Sequence, residues 1–506
     1  MSTQAETILD LIGHGADAAE AIGAPGRASL TYAGLRAHVE ATVARLNELG
    51  VGRNDAVAIV LPNGPEMASA FVAIGAGATT APLNPAYRHD EFRFYLSDLE
   101  AKLLVVEAES TSPALGVADE LGIPVATLHV DETAPAGIFA IEGAASSARE
   151  TGFAGGDDTA LVLHTSGTTS RPKIVPLSQR NVAASAANVA DSIALLPGDR
   201  CLNIMPLFHI HGLIAAVLSS LNAGASVHCS PGFNALNFFR WLDEVRPTWY
   251  TGVPTMHQAI LARASRNQET IDNVPLRLIR SSSASLPPQV MAELEETFGA
   301  PVIEAYGMTE AAHQMASNPL PPKARKPGSV GLPAGPEVAI MSEAGDLLSA
   351  GEIGEIVIRG PNVTAGYKNN DKANSEAFTN GWFRTGDQGV ADDEGYFRLT
   401  GRLKEIINRG GEKISPREVD EVLLDHPAVA QVVTFAVPHP KLGEDVAAAI
   451  VLGEGAEADE KSIRAFAAQR LADMKVPRTI VFLDEIPKGA TGKLQRIGLA
   501  EKLGLA

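Results

Sequence analysis

The sequence predicts an α/β protein: a large N-terminal domain of helix-covered sheets followed by a small, mobile α+β domain at the C-terminus. Three observations carry this expectation. Through the first part of the chain, short apolar runs of strand length alternate with segments whose apolar residues recur at helical spacing. Near residue 400 that rhythm gives way to a glycine-containing polar stretch and then to a different, shorter pattern of elements. A chain of 506 residues also exceeds what one hydrophobic core organises, so two or more domains are expected.

Each element follows from local patterning. Leu35 to Leu49 has apolar residues at helical spacing and stops at Gly50. Ala56 to Leu61 (AVAIVL) is a buried strand closed by Pro62-Asn63-Gly64, Pro65 to Gly75 is helical, and Lys102 to Glu107 (KLLVVE) is again a strand. Strand-like runs continue at Thr159–Leu163, Thr248–Gly252, Leu276–Ser281 and Pro301–Tyr306, and Ser178 is placed to cap a helix over Asn181–Ala194. Such alternation predicts parallel sheets covered by helices. Beyond residue 402 the pattern predicts a helix at 416–425, strands at 429–437 and 445–452, a helix at 459–472 and a strand at 479–483. The predicted domains are 1–401 and 402–506.

Composition bounds the function. Hydrophobic residues are 45% and charged residues 20%, the proportions of an ordinary globular protein rather than a disordered or fibrous one. A net charge of −19 argues against a general nucleic-acid or anionic-membrane binder, though not against anionic small molecules held by a few placed cations. Two cysteines make no disulfide framework and show no metal-ligand spacing. The N-terminal stretch carries acids where a signal peptide has a basic patch, and apolar runs of about 18 residues are missing. The C-terminal EKLGLA is not a peroxisomal address. A cytoplasmic protein without membrane or nucleic-acid partners is expected, as a monomer or homodimer.

Four motifs carry chemistry. HTSGTTSRPK, His164 to Lys173, follows a strand and offers a glycine, hydroxyls and a lysine, which can wrap phosphate oxygens. It is not a Walker sequence, because Pro172 and Ile174 stand where that motif needs Gly and Ser or Thr. A flexible surface turn fits the same residues. Tyr306-Gly307-Met308-Thr309-Glu310 ends a strand, the address at which open α/β sheets bind ligands. A Tyr there can stack on a base, a Thr can donate to phosphate and a Glu can hold Mg²⁺; a strand-end turn with a packed Tyr is the plain alternative. Asp387 in Thr385-Gly386-Asp387 suits two ribose hydroxyls, or simply forms the turn. Lys493 in PKGATGK sits in a glycine loop as a point charge, or as an exposed tail lysine.

In this order, over residues 28 to 498, the motifs resemble the superfamily of adenylate-forming enzymes: acyl- and aryl-CoA synthetases, adenylation domains and firefly luciferase. The resemblance implies ATP, Mg²⁺ and coenzyme A as reactants and cofactors. ATP phosphates would lie in the loop of Thr165, Ser166, Gly167, Thr168, Thr169, Arg171 and Lys173, and adenine against Tyr306. Ser283, Ala284, Glu304 and Ala305 would border the nucleotide. Thr309 would meet the α-phosphate, Glu310 with Thr165 the Mg²⁺, and Asp387 with Arg402 the ribose. Lys493 would act in adenylation, Lys404 would be the hinge of the small domain, and Arg409, Gly410, Gly411, Glu412 and Lys413 would face CoA. Ser170, Arg171 and Ile174 depart from the usual Gly, Lys and Gly of the phosphate loop; Arg171 keeps the charge, so ATP binding is expected to survive.

The acid substrate follows from polarity. His209 in Phe208-His209-Ile210-His211-Gly212, the segment SSSASL and His313 after Glu310 fill the expected acid pocket with imidazoles and hydroxyls. These are costly to bury unless they meet a polar ligand, and a small acid with a second polar group would satisfy them. Beside a dianion the imidazoles could turn cationic. The combination HTSGTTSRPK, PLFHIHGL, SSSASL, EAYGMTEAAHQMASNPLPP and INRGGEKISP is similar to the oxalate–CoA ligase branch. On that resemblance His313 and Ser283 hold the distal carboxylate near Gly307 and His209 closes the pocket, while His211 is a packed histidine. In the malonate-using relatives an Arg precedes the motif Tyr, where this chain has Ala305. Ligation of malonate, glycolate or other short or aryl acids, and transfer to a carrier protein instead of CoA, stay open at this level.

Overall fold

A computed structural model describes residues 5–165, 172–487 and 494–506. They pack into two compact units. One holds the residues up to 165, then 172–337 and 359–377; the other holds 338–358 and the described residues from 378 onward. The architecture is α/β, a large unit of helix-covered sheets and a smaller α+β unit.

Two sheets build the large unit. Among the described residues nine strands form one of them, in the order Leu332–Pro333, His313–Ser317, Val302–Met308, Leu278–Ser281, Trp249–Gly252, Arg200–Asn203, Ser226–Cys229, Glu20–Ala24 and Arg27–Thr31. Its centre is parallel and its two edges are closed by antiparallel pairs. The second sheet has Phe139–Glu142, Val125–Val130, Leu103–Glu107, Ala56–Val60, Thr79–Pro82, Thr159–His164 and Ile174–Ser178 in that order. Parallel sheets need crossovers, and the predicted helices supply them. Helix Pro65–Gly75 is buried except at Glu66, which pairs with Arg27, because its remaining faces are apolar or small and pack on strands of both sheets. Helix Gln179–Ser192 starts at Ser178, whose hydroxyl accepts the Asn181 N–H at 3.2 Å while Asn181 reaches back to the Ser178 amide.

The smaller unit contains two further sheets. One is the antiparallel set Glu337–Met341, Gly354–Arg359, Trp382–Ala391, Phe378–Thr379 and Phe397–Arg402. This sheet has no counterpart in the sequence reading: its outer strands are short, and the ten-residue Trp382–Ala391 is interrupted by Gly386 and Gly389 and by shifts of register, so it shows no clean alternation. The other surrounds the paired strands Val429–His439 and Gly443–Leu452, covered by helices Pro416–Leu424 and Glu460–Ala468 and flanked by Thr479–Phe482. These elements coincide with the predicted ones to within a few residues.

Three histidines of the large unit fold as neutral, buried bases. Burial holds His257 down to about 3, against a weaker upward pull from the Gly252 backbone, and holds His38 down to about 4. His228 is lowered by burial and by Arg200. In the unfolded chain each titrates near 6.5. Between those values the unfolded chain binds protons that the folded unit refuses, so stability present above pH 6.5 is lost as pH falls toward 4. Asp420 of the smaller unit, raised to about 6 chiefly by burial, has the opposite sign: its contribution is lost as pH rises from about 4 through 6. Urea unfolding followed through Trp241 and Trp249 in a Trp382→Phe background should weaken by about 1.4 kcal/mol per pH unit for each histidine across this window. A flat profile between pH 6.5 and 4.5 would mean these rings are not buried.

Candidate active site

The parallel strands of the nine-stranded sheet end side by side. Asn203 pairs with Thr251, Gly252 with Ser281 and Ser281 with Glu304. The segments that leave these carboxyl ends carry His209 and His211, Ser282 to Ser285, and Tyr306 to Glu310, so the topology gathers them at the usual ligand address of such a sheet. Two hydrogen bonds tie the serine segment to its neighbour strand: Ser282 Oγ donates to the Ala305 carbonyl at 2.9 Å, and Glu304 Oε1 accepts the Leu286 N–H at 3.0 Å. Ala284 is exposed in this segment.

Strand Val302–Met308 turns back on itself through Thr309–Ala311, a short 3₁₀ turn, and pairs with His313–Ser317. Tyr306 lies buried opposite Ala316; the ladder then slips, and Gly307 meets Gln314. At Gly307 a Cβ would stand 1.6 Å from the His313 carbonyl oxygen, so only glycine allows this return. Ala312 and His313 complete it with φ of 47° and 96°, conformations that cost side-chain-bearing residues energy and cluster at functional sites.

Glu310 is fixed from two sides. Its carbonyl accepts the Thr364 N–H at 2.7 Å, and its Oε1 accepts the Tyr367 hydroxyl at 2.9 Å. Burial, then the Glu310 charge and this hydrogen bond, raise the Tyr367 phenol, so it remains a donor. Lys173 Nζ sits 4.2 Å from the Tyr367 ring centroid, a cation–π contact. The ends of the serine- and threonine-rich loop are pinned together: Thr165 N–H donates to the Lys173 carbonyl at 2.9 Å and Lys173 N–H to Thr165 Oγ1 at 3.2 Å. The structure thus joins Thr165, Lys173 and Glu310 into one cluster with Tyr367 between them. An all-oxygen set of one carboxylate and one hydroxyl, completed by phosphate oxygens, is what Mg²⁺ takes.

The imidazoles form a second cluster. His211 opens the buried π-helical segment His211–Leu218, a rare geometry found often at functional sites. Its Nδ1 lies 3.0 Å from Ser283 Oγ and its Nε2 2.6 Å from Thr251 Oγ1. Its ring stacks on His313, centroids 5.0 Å apart. His209 is half-buried, and its Nδ1 accepts the His211 N–H at 3.4 Å. Ser283 has φ of 72°, which turns it toward His211. His211, set aside by the sequence reading as a packed histidine, is fully buried and also bonded to Ser283.

In the smaller unit Asp387 and Arg402 face each other across a ladder, Arg402 Nε donating to Asp387 Oδ1 at 3.0 Å. Asp387 is buried, and its N–H donates to Thr385 Oγ1 at 3.1 Å. Lys404 is exposed on the following turn, closed by the Glu405 and Ile406 N–H groups on the Arg402 carbonyl. Arg409 to Glu412 form a hairpin whose central Gly410 and Gly411 have φ of 61° and 97°, as a two-residue turn of this type requires. Arg409 Nε donates to Asp445 Oδ1 at 2.6 Å, while Glu412 and Lys413 are exposed. Burial works against Asp445, but Arg409, the Val446 N–H and Arg478 hold it below the ordinary carboxylate range.

Ser166, Gly167, Thr168, Thr169 and Arg171 of the phosphate loop, and Lys493, lie outside the described residues. Two contributors escaped the sequence reading. Tyr367 sits in a plain Ala-Gly-Tyr-Lys stretch with no motif to mark it. Arg280, in the strand-like LRLIRS, shares its segment with a second arginine, Arg277, so nothing local singles it out.

The chain belongs to the AMP-binding enzyme family: residues 14–368 match the AMP-binding enzyme family and residues 418–493 its C-terminal domain. It is 48% identical to the oxalate–CoA ligase of Arabidopsis thaliana over 94% of both chains, and 43% identical to that of Saccharomyces cerevisiae over 89% of this chain and 87% of the yeast protein. Among solved structures it is similar to ATP-bound MatB from Rhodopseudomonas palustris, with a TM-score of 0.88 and 30% identity over 98% of this chain and 99% of that one.

Tyr367 gives a direct test of the phosphate-side cluster. Tyr367→Phe removes the hydroxyl that holds Glu310 and should lower kcat/KM for ATP on the order of tenfold to a hundredfold, as loss of a hydrogen bond to a charged group does. Acid-dependent pyrophosphate release at varied ATP and Mg²⁺ reads this. Wild-type kinetics in the variant would show that Tyr367 does not position Glu310 for the reaction.

Proposed function

We propose that this protein is an ATP-dependent, AMP-forming ligase that joins a small polar acid, oxalate, to coenzyme A through an oxalyl-adenylate. The observation that carries the reading is the imidazole–hydroxyl cluster of His211, His313 and Ser283 at the strand ends, in a chain so similar to oxalate–CoA ligases. A pocket built to bond an acid's second polar group leaves buried donors unpaired with a simple fatty or aryl acid, and so rejects it. Cytoplasmic localisation fits this reading.

The acid's carboxylate attacks the α-phosphorus of ATP and expels pyrophosphate. Both reactants are anions, so the chain must offset their repulsion. Lys173 and Arg171 serve the outgoing phosphates, Thr309 and Lys493 the α-phosphate, and Asp387 with Arg402 the ribose. Tyr306, with Ser283, Ala284, Glu304 and Ala305, borders the adenine. His313 and Ser283 hold the distal carboxylate beside Gly307, and His209 closes the pocket. Glu310 and Thr165 would hold Mg²⁺, which would supply charge neutralisation at the phosphates. No protein nucleophile is needed, because orientation alone brings the carboxylate in line.

In the second half-reaction the CoA thiol attacks the acyl carbon, a C–S bond forms, the bond to AMP breaks and the thiol proton is released. A swing about Lys404, separating 1–401 from 402–506, would exchange Lys493 for the Arg409–Lys413 hairpin. Lys404 lies inside the second compact unit, so this is a division by motion rather than by packing. Lys413 gives the hairpin an exposed cation, since Arg409 is paired with Asp445.

AMP release with ATP, Mg²⁺ and CoA over acetate, glycolate, oxalate, malonate, octanoate and coumarate tests the substrate. Oxalate should give the highest kcat/KM, with oxalyl-CoA identified by mass; octanoate or coumarate as the best acid would overturn the polar-pocket reading. Lys493→Ala should slow adenylation on the order of a hundredfold while thioester formation from supplied oxalyl-adenylate stays near wild type. Equal loss in both steps would refute the division of labour.

A further inference from the structure

Arg280 lies on the central strand Leu278–Ser281 and is fully buried. A guanidinium in such a place is normally paired with a carboxylate, since an unpaired buried charge costs several kcal/mol. Among the described residues Arg280 has no carboxylate partner. Nη2 donates to Gln314 Oε1 at 2.9 Å and to His313 Nε2 at 3.1 Å, Nη1 faces His211 Nε2 at 3.5 Å, and Nε is without a partner. The Cys201 thiol nearby does not neutralise it, because burial keeps that thiol protonated. Gln314 is neutral and is itself held by Ser192 and Ser185. A positive charge is thus stored beneath the imidazole cluster with no carboxylate among the described residues paired to it.

The contacts also decide where the ring protons are. A guanidinium only donates, so His313 Nε2, 3.1 Å from Nη2, is an acceptor, and the ring carries its proton on Nδ1. His211 Nε2 faces the same cation and accepts the Thr251 hydroxyl, which leaves Nδ1–H to donate to Ser283 Oγ. Ser283 then keeps its own O–H for an acceptor outside this network. Both rings stand between Arg280 and the site as hydrogen-bond relays. The sequence expectation puts positive charge on the imidazoles beside a dianion; here a cation also stands behind them.

We propose that Arg280 is the positioning residue that makes the pocket select acids with a second negative group, by fixing His211 and His313 as Nδ1–H donors and by supplying the buried charge that a second carboxylate balances. The inference rests on the acid-site reading above and deepens it. A monocarboxylate leaves the Arg280 charge unbalanced and gains nothing from the relay. Oxalate, with its second carboxylate directly bonded to the reacting one, gains both.

The test compares Arg280→Met, Arg280→Lys and wild type in kcat and KM for oxalate and for acetate, together with ¹⁵N spectra of the imidazole nitrogens. Arg280→Met should raise KM for oxalate by about tenfold or more, the scale of a lost charge-assisted contact, and change KM for acetate by less than about threefold. Arg280→Lys, which keeps the charge but loses the fork, should recover part of the oxalate preference. Wild-type spectra, assigned with His211→Asn and His313→Asn, should show both rings with the proton on Nδ1. Equal losses for oxalate and acetate in Arg280→Met, or wild-type rings protonated on Nε2 or on both nitrogens, would overturn the proposal. The spectra need no Arg280 variant, so they decide the tautomer claim even if Arg280→Met does not fold. Wild type without an oxalate preference would instead sink the substrate reading, with the spectra still reporting on Arg280 alone.

Discussion

At Gly307 one strand comes so close to the next that a Cβ would stand 1.6 Å from the His313 carbonyl oxygen, and the site depends on this approach. It permits a strand that has just run parallel to its neighbours to fold back within a few residues. The return puts Tyr306, Glu310 and His313 on one short piece of chain with three different exits: Tyr306 in the ladder, Glu310 on the turn, His313 on the returning strand. The positive φ values of Ala312 and His313 are the local cost, offset by the two ladders that hold the turn on either side. Tyr367 and Thr364 then lock Glu310 from a segment far along the chain.

Charge is distributed with the same economy. The chain carries −19, yet its proposed chemistry brings two anions together. The answer is local cations with different degrees of burial. Lys173, against the Tyr367 ring, is a partly exposed cation beside the phosphate loop. Arg280, within the sheet, is a buried charge that meets two imidazoles and the Gln314 amide. In low-dielectric surroundings such a fixed charge acts strongly and needs no reorganisation when an anion arrives.

The smaller unit uses its cations differently, as ties between elements. Arg402 binds Asp387 across a ladder, and Arg409 binds Asp445 beneath the glycine hairpin. Arg496 bridges Glu405, next to the proposed hinge residue, and the buried Asp420. These ties stiffen the ends of the hairpin and of the turn at Lys404 and leave the exposed side chains of Lys404 and Lys413 to meet solvent or ligand.

The sequence by itself determined the class of fold and part of the helices and strands of the sheets, and it named the places at which chemistry is proposed. Helix Pro65–Gly75, the cap at Ser178 and the strands ending at Gly252, Ser281 and Met308 are local events, written in periodicity and turn residues that a reader of one segment can see. The antiparallel sheet around Trp382–Ala391 was not legible, because that ten-residue strand carries two glycines and register shifts that break its alternation, and the strands beside it are short. Only the tertiary structure decided what surrounds the acid site. His211, Arg280 and His313 are separated by 69 and 33 residues, and nothing local in LRLIRS tells a buried cation from an edge-strand arginine. Periodicity reports which face of an element is covered. It is silent on which distant side chain covers it, and at this site that neighbour is a buried guanidinium against two imidazoles.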